Sequence, residues 1–201
     1  MRTGVFGGTF NPVHNGHIHL ARTYFDALRL DRMLVIPTCL PPHKPGEQLA
    51  DGADRLAMCR LAFDGLPGFE ASDIELRRGQ KSYTVDTLEQ LAKEYPDDGF
   101  YLIMGSDMFL TLTGWREWRR VCELAVICAG GAGHRAARPA RRLQTLARGA
   151  GGRAASWSSL NPLPISSTLV RGRAREKKPL GGLVPPKVAA YIDSHGLYQT
   201  L

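Results

Sequence analysis

Residues 2–37 read RTGVFGGTFNPVHNGHIHLARTYFDALRLDRMLVIP, and their pattern decides the fold. Arg2 to Phe6 and Arg32 to Pro37 are short apolar runs bounded by turn residues. Between them, His17 to Asp31 is helix-compatible, which makes the stretch a βαβ unit. Gly7 and Gly8 close the first strand with a tight turn, and the helix that follows presents free N–H groups suited to an anion.

Beyond this unit, ADRLAMCRLAF reads as a second helix with Leu56, Cys59, Leu61 and Phe63 on its apolar face, and FEASDIEL reads as a strand. YTVDTLEQLAKEY has Val85, Leu88, Leu91 and Ala92 at helical spacing and stops at Pro96. FYLIM and LAVIC read as buried strands. Such alternation predicts a doubly wound α/β fold, a parallel sheet covered by helices on both faces, with ligands beyond the carboxyl ends of its strands. The places to inspect are therefore Gly7 to His17, PTCLPPHK, the GSD after FYLIM, and ISSTLVRGR, which opens a short helix late in the chain.

The 201 residues fit one domain, 1–201, with a short C-terminal helical segment. No apolar run approaches the ~20 residues of a membrane span, and the N-terminus lacks the order of a secretory signal, so a cytoplasmic location is expected. Cys39, Cys59, Cys122 and Cys128 show no C-x-x-C spacing and are expected to be buried thiols. The net charge of +7 favours an anionic partner without saying which. Much of the excess lies in the Arg/Gly/Ala-rich stretch around 130–155, which reads as an RNA-binding patch, a flexible loop or a solvated helix face, with a bland role preferred.

GGTFNPVHNGH has neither the G-x-x-x-x-G-K-[ST] pattern nor G-x-G-x-x-G. His14 and His17 can face the same side of the first helical turn, where both N–H donors converge on a phosphate oxygen; the plainer role is a helix cap. His19 is expected to point away. GGTFNPVHNGH is similar to the T/HxGH signature of the nucleotidylyltransferase superfamily, and ISSTLVR to its ISSTxIR signature, with Val170 where isoleucine is usual. PPHK, SYTVDTL, GSD, the tryptophans of TGWREW and the tail VAAYIDSHGLY narrow the resemblance to bacterial nicotinate-mononucleotide adenylyltransferases, over almost the whole chain except about 130–155.

The resemblance implies a Rossmann-like fold and adenylyl transfer from ATP to nicotinate mononucleotide, giving deamido-NAD and pyrophosphate. It implies catalytic roles for His14, His17, Lys44 and Arg171. ATP would be held by Gly7, Gly8, Thr9, Phe10, Gly105, Asp107, Ser166, Ser167 and Thr168. Ser82, Tyr83, Thr84 and Trp115 would hold the pyridine nucleotide. Asp107 also suits a ribose hydroxyl, a metal-bound water or a helix cap, and Trp118 and Trp157 read as core. Mg²⁺ is inferred from ATP chemistry, since no residue run offers a dedicated metal cage. A homo-oligomer is compatible with the sequence.

The alternatives are the same chemistry on nicotinamide mononucleotide, phosphopantetheine or an alcohol phosphate, and a basic nucleic-acid-binding module without turnover. HNGH also resembles the HIGH motif of class I aminoacyl-tRNA synthetases, but no KMSKS-like run accompanies it. Of these, ISSTLVR and SYTVDTL favour a pyridine nucleotide, and nucleic acid is not expected as the partner.

Overall fold

The computed structural model describes residues 1–40, 49–131, 145, 149, 156–159 and 163–199. Its strands are β1 (Arg2–Gly8), β2 (Arg32–Pro37), β3 (Phe69–Ala71), β4 (Gly99–Gly105), β5 (Ala125–Gly131) and β6 (Ser156–Ser159). They form one sheet in the order β3-β2-β1-β4-β5-β6 with every neighbouring pair parallel. The chain therefore winds outward in one direction from β1 through β3 and in the other from β4 through β6. The switch point lies between β1 and β4, where the loops that leave the two strands diverge and open a crevice.

Period-two alternation distributes the strand side chains between two cores. Phe6, Met33, Val35, Ile103 and Cys128 pack on one face with residues of α1 (Asn15–Ala27), α2 (Gly52–Phe63), and the late helices α7 (Ser167–Arg175) and α8 (Pro186–Ser194). Val5, Leu34, Ile36, Leu102, Met104 and Ile127 pack on the other against α4 (Thr84–Glu94), α5 (Ser106–Leu110) and α6 (Trp118–Leu124). Trp118 is half-buried against this second core. Cys59, Cys122 and Cys128 are buried and all four thiols are free, with burial pushing Cys59 up to about 12, so that it stays an unreactive thiol.

FEASDIEL is not one strand. β3 ends at Ala71, and α3 (Ile74–Arg78) follows. The reason is local chemistry: Glu75 stands in the first turn, Arg77 and Arg78 in the last, and Gly79 takes a left-handed φ of 65° just past the end. Acid first, base last and a left-handed glycine suit a helix better than an extended chain. Strand β6 is also unforeseen, because SWSS carries no apolar run. Trp157 lies in that strand, and Lys44 and nearly all of the Arg-rich stretch lie outside the described residues.

At the amino ends of the strands, Asp98 accepts from Thr3 Oγ1 at 2.6 Å and from Arg32 Nη2 at 2.8 Å, a cross-link within the protein. The carboxyl ends differ.

Candidate active site

A cleft of about 730 Å³ opens over the carboxyl ends of β1 and β4. Its floor is the β1–α1 turn. Nothing lies within 4 Å of a Cβ built on Gly7, so the backbone there faces open space. A Cβ on Gly8 would stand 2.9 Å from the Phe10 ring. Phe10 is 2 % exposed and holds a left-handed φ of 46°, a conformation costly for a non-glycine residue and retained by the packing around its ring. That ring meets His17 edge-on at 5.0 Å between centroids and Phe6 at 5.3 Å.

His14 is the N-cap of α1 and His17 its third residue. The His17 backbone N–H donates to His14 Nδ1 at 3.4 Å, and the His14 backbone N–H donates to His17 Nδ1 at 3.2 Å. This reciprocal arrangement is a capping box made of two imidazoles. The rings consequently stack, with centroids 3.6 Å apart and planes 22° from parallel. Because each Nδ1 accepts a hydrogen bond, each neutral ring carries its proton on Nε2 and donates from there. Burial lowers His14 to about 4. Burial, and secondarily the neighbouring His14 ring, holds His17 well below the usual histidine range. Both rings are therefore neutral near pH 7. The cap and the phosphate donor, weighed as alternatives in the sequence, are compatible in one arrangement: the cap occupies Nδ1 and leaves Nε2–H to donate.

Across the cleft, Tyr83 is the N-cap of α4 and its side chain makes no capping hydrogen bond. Ser82 is buried, accepts a hydrogen bond from the Cys39 N–H at 3.1 Å, and its own N–H donates to Leu40 O at 3.2 Å. Those two contacts fasten the helix start to the chain leaving β2. Glu75, buried beneath, accepts from Thr87 Oγ1 at 2.7 Å, and Arg78 Nη2 donates to that same hydroxyl at 3.0 Å. Burial raises the Glu75 carboxyl, although Thr87, Ser82 and Arg78 pull the other way. Trp115 donates its indole N–H to Thr111 Oγ1 at 3.2 Å and lines the cleft with its neighbour Arg116.

Asp107 is exposed, lines the cleft and stands in the first turn of α5, whose N-cap is Gly105. In α7, Ser166 is the N-cap and accepts from the Leu169 N–H at 3.2 Å. Ser167 Oγ donates to Pro12 O at 2.9 Å and reaches the cleft. Arg171 donates to Asn11 O at 2.9 Å and lies 3.4 Å from Thr168 Oγ1, so its guanidinium braces the β1–α1 loop.

The structure brings Gly7, Gly8, Thr9, Phe10, His17, Ser82, Tyr83, Thr84, Gly105, Asp107, Trp115 and Ser167 to one cleft. His14, Ser166, Thr168 and Arg171 stand behind or beside it, and His19 is not among its lining residues. A second depression, of about 510 Å³ between α7 and α8, contains none of these groups.

Sequence reasoning missed Arg55. It is 2 % exposed and donates to four carbonyls: Ala50 O at 2.9 Å, Thr9 O at 3.0 Å, Thr38 O at 2.6 Å and Cys39 O at 3.2 Å. One guanidinium thus ties the glycine turn after β1 to the exit of β2. Its only signal in the sequence is position, four residues before Cys59 on the buried side of α2. Asn11 is a second such joint, its Oδ1 accepting from the Ala50 N–H and from Tyr198 Oη, each at 3.0 Å.

Among the described residues no group of three or more His, Cys, Asp or Glu side chains is placed to hold a metal ion, and no helix is long and apolar enough to cross a membrane. Residues 5–173 match the cytidylyltransferase-like family. The chain is 40% identical over 212 residues to a probable nicotinate-nucleotide adenylyltransferase of Geobacter metallireducens, covering 98% of each. It is 39% identical over 212 residues to one from Shewanella sp. strain MR-4, covering 98% of this chain and 99% of that one. The fold is shared with the Plasmodium falciparum nicotinic acid mononucleotide adenylyltransferase solved with NaAD, at TM-score 0.77 and 16% identity over 98% of this chain and 97% of that one. It is shared too with a putative nicotinate-nucleotide adenylyltransferase of Vibrio parahaemolyticus, at TM-score 0.72 and 19% identity over 100% and 98%.

Proposed function

The chain belongs to the cytidylyltransferase-like family, among its nicotinate-nucleotide adenylyltransferases, and from that premise we propose that it joins ATP to nicotinate mononucleotide. A phosphate oxygen of the mononucleotide attacks the α-phosphorus of ATP in line, the bond to the β-phosphate bridging oxygen breaks, and the products are the deamido-dinucleotide and pyrophosphate. No protein nucleophile takes part. The protein has to hold two polyanions together and stabilise charge that grows on the transferring phosphate, which is positioning and electrostatics.

The observation that carries this reading is the imidazole pair at the switch point, each ring with Nδ1 accepting from backbone. His17, in the cleft, donates through Nε2–H to the α-phosphate, and His14 stands beside it as a second donor and as the cap that fixes its partner. Neutral donors suit this task, because they require no proton uptake at neutral pH. The open backbone at Gly7 lets a phosphate approach, and Thr9, Phe10 and Gly8 shape that turn. The start of α7, with Ser166, Ser167 and Thr168, and the Arg171 fork form the second phosphate wall. Lys44 completes the clamp by this reading.

At the other end, the uncapped start of α4 at Ser82, Tyr83 and Thr84 offers N–H groups to the pyridine substituent, and Trp115 offers a ring to stack on. Asp107 fits a ribose hydroxyl or a water in the shell of Mg²⁺. That ion, held chiefly by phosphates and water, supplies charge neutralisation on the pyrophosphate when bound. Four free thiols agree with a cytoplasmic site of action.

The test is direct. Purified protein is incubated with ATP, Mg²⁺ and nicotinate mononucleotide, nicotinamide mononucleotide or phosphopantetheine, and products are followed by mass. Pyrophosphate and deamido-dinucleotide formed in equal amounts are expected. ATP left intact with every acceptor, or a faster reaction with phosphopantetheine, would refute the assignment.

A further inference from the structure

We propose that Arg116 is a specificity-determining residue, the side-chain cation that favours a mononucleotide whose pyridine ring bears a carboxylate over one bearing a neutral amide. This rests on the function proposed above and goes further by naming the group that reads the ring substituent's charge.

Arg116 lines the same cleft as Tyr83, Thr84 and Trp115. Its guanidinium carbon lies 5.0 Å from the centre of the Tyr83 ring, and Tyr83 is the N-cap at which α4 opens without a side-chain cap. Backbone donors and a cation therefore stand at one end of one cleft. The cation forms two loose, exposed ion pairs and lies over the Tyr83 ring. Its carboxylate neighbours, Asp86 Oδ2 at 3.7 Å and Glu117 Oε1 at 3.6 Å, lie beyond hydrogen-bond distance, and the side chain is 52% exposed. Among the described residues no hydrogen bond fixes its five N–H donors, so a planar carboxylate can take two of them in parallel.

A second consequence follows from Asp86, which stands in the first turn of α4. Its negative charge opposes the partial positive charge that the helix start offers to an anion. Arg116 is the cation beside it and offsets that charge. Without Arg116 a ring carboxylate would lose its partner and also meet Asp86 unscreened, whereas a neutral amide would be affected much less.

The experiment measures kcat/KM for nicotinate and nicotinamide mononucleotides in wild type, Arg116→Gln, Arg116→Lys and the double variant Arg116→Gln with Asp86→Asn. Arg116→Gln is expected to lower the acid-to-amide ratio by about 1.4- to 5-fold, the range of an exposed ion pair, mainly through KM for the acid. Arg116→Lys should recover part of that ratio, and the added Asp86→Asn should recover part of it by removing the opposing charge. An unchanged ratio, or an equal fall for both substrates, would overturn the role of Arg116 while leaving the adenylyl-transfer reading intact. A wild type that makes no dinucleotide from the acid would overturn both.

Discussion

Two helix starts face each other across the cleft, and they are finished in opposite ways. At α1 the His17 N–H and the N-cap N–H of His14 each donate to the other residue's imidazole, and the Asn15 N–H donates to Leu183 O. At α4 the N-cap residue, Tyr83, makes no side-chain cap bond. An anion meeting α1 therefore meets side-chain donors whose direction and tautomer the fold has fixed in advance, while an anion meeting α4 meets the backbone itself. The first arrangement suits a phosphate whose charge changes during reaction, since a preorganised donor needs no rearrangement as that charge grows. The second suits a static substituent that has only to be recognised, and a helix-end interaction is worth about 0.3–1 kcal/mol when exposed and up to about 2 when partly buried. Rate would then reside at one start and substrate choice at the other.

Arg55 joins the two. Through Thr9 it holds the turn before α1, and through Cys39, whose N–H donates to Ser82, it holds the chain against the start of α4. Replacing Arg55 by Leu leaves four carbonyls without their donor and should destabilise the fold by at least about 3 kcal/mol, measured from urea unfolding midpoints. A change below about 1 kcal/mol would mean that the two starts are held independently.

The next effect separates α1 from α4, because the two histidines stand at the start of α1 and α4 has none. The native state refuses a proton at His14 until about pH 4, whereas the unfolded chain takes it up near 6.5. Stability contributed by the neutral ring is thus complete above pH 6.5 and is lost as the pH falls toward 4, by about 3 kcal/mol in total for His14, with His17 acting in the same direction. His14→Asn keeps an acceptor at the N-cap and removes the titrating group. Its stability, followed by urea unfolding between pH 7 and 4, should fall less steeply than that of wild type. Equal slopes would place the acid sensitivity elsewhere, among the carboxylates.

The α1 side was legible in the sequence because its signals are local: apolar runs, a glycine turn and two histidines three residues apart. The reciprocal cap was half legible, since spacing places both rings on one turn but does not say which nitrogen each one uses. The α4 side was legible as a helix, and its start and Trp115 both line the cleft. What holds that start in place was hidden, because Glu75 sits in a segment read as strand and Arg55 in a helix read for its apolar face. Both act through contacts with residues distant in sequence, Arg55 reaching Thr9 and Glu75 reaching Thr87. Strand β6 was hidden for another reason: a short, serine-rich edge strand acquires its conformation from pairing with β5 and has little preference of its own.

If α1 contributes rate through the Nε2–H of His17, the turnover of His17→Ala reveals it. Its kcat for deamido-dinucleotide should fall about 10²- to 10³-fold, the effect of removing one preorganised donor. The broken cap should also lower stability by roughly 0.5–2 kcal/mol, so the comparison is made at a temperature where unfolding curves show the variant fully folded. A folded His17→Ala protein with wild-type kcat would leave the imidazole pair as a helix cap alone.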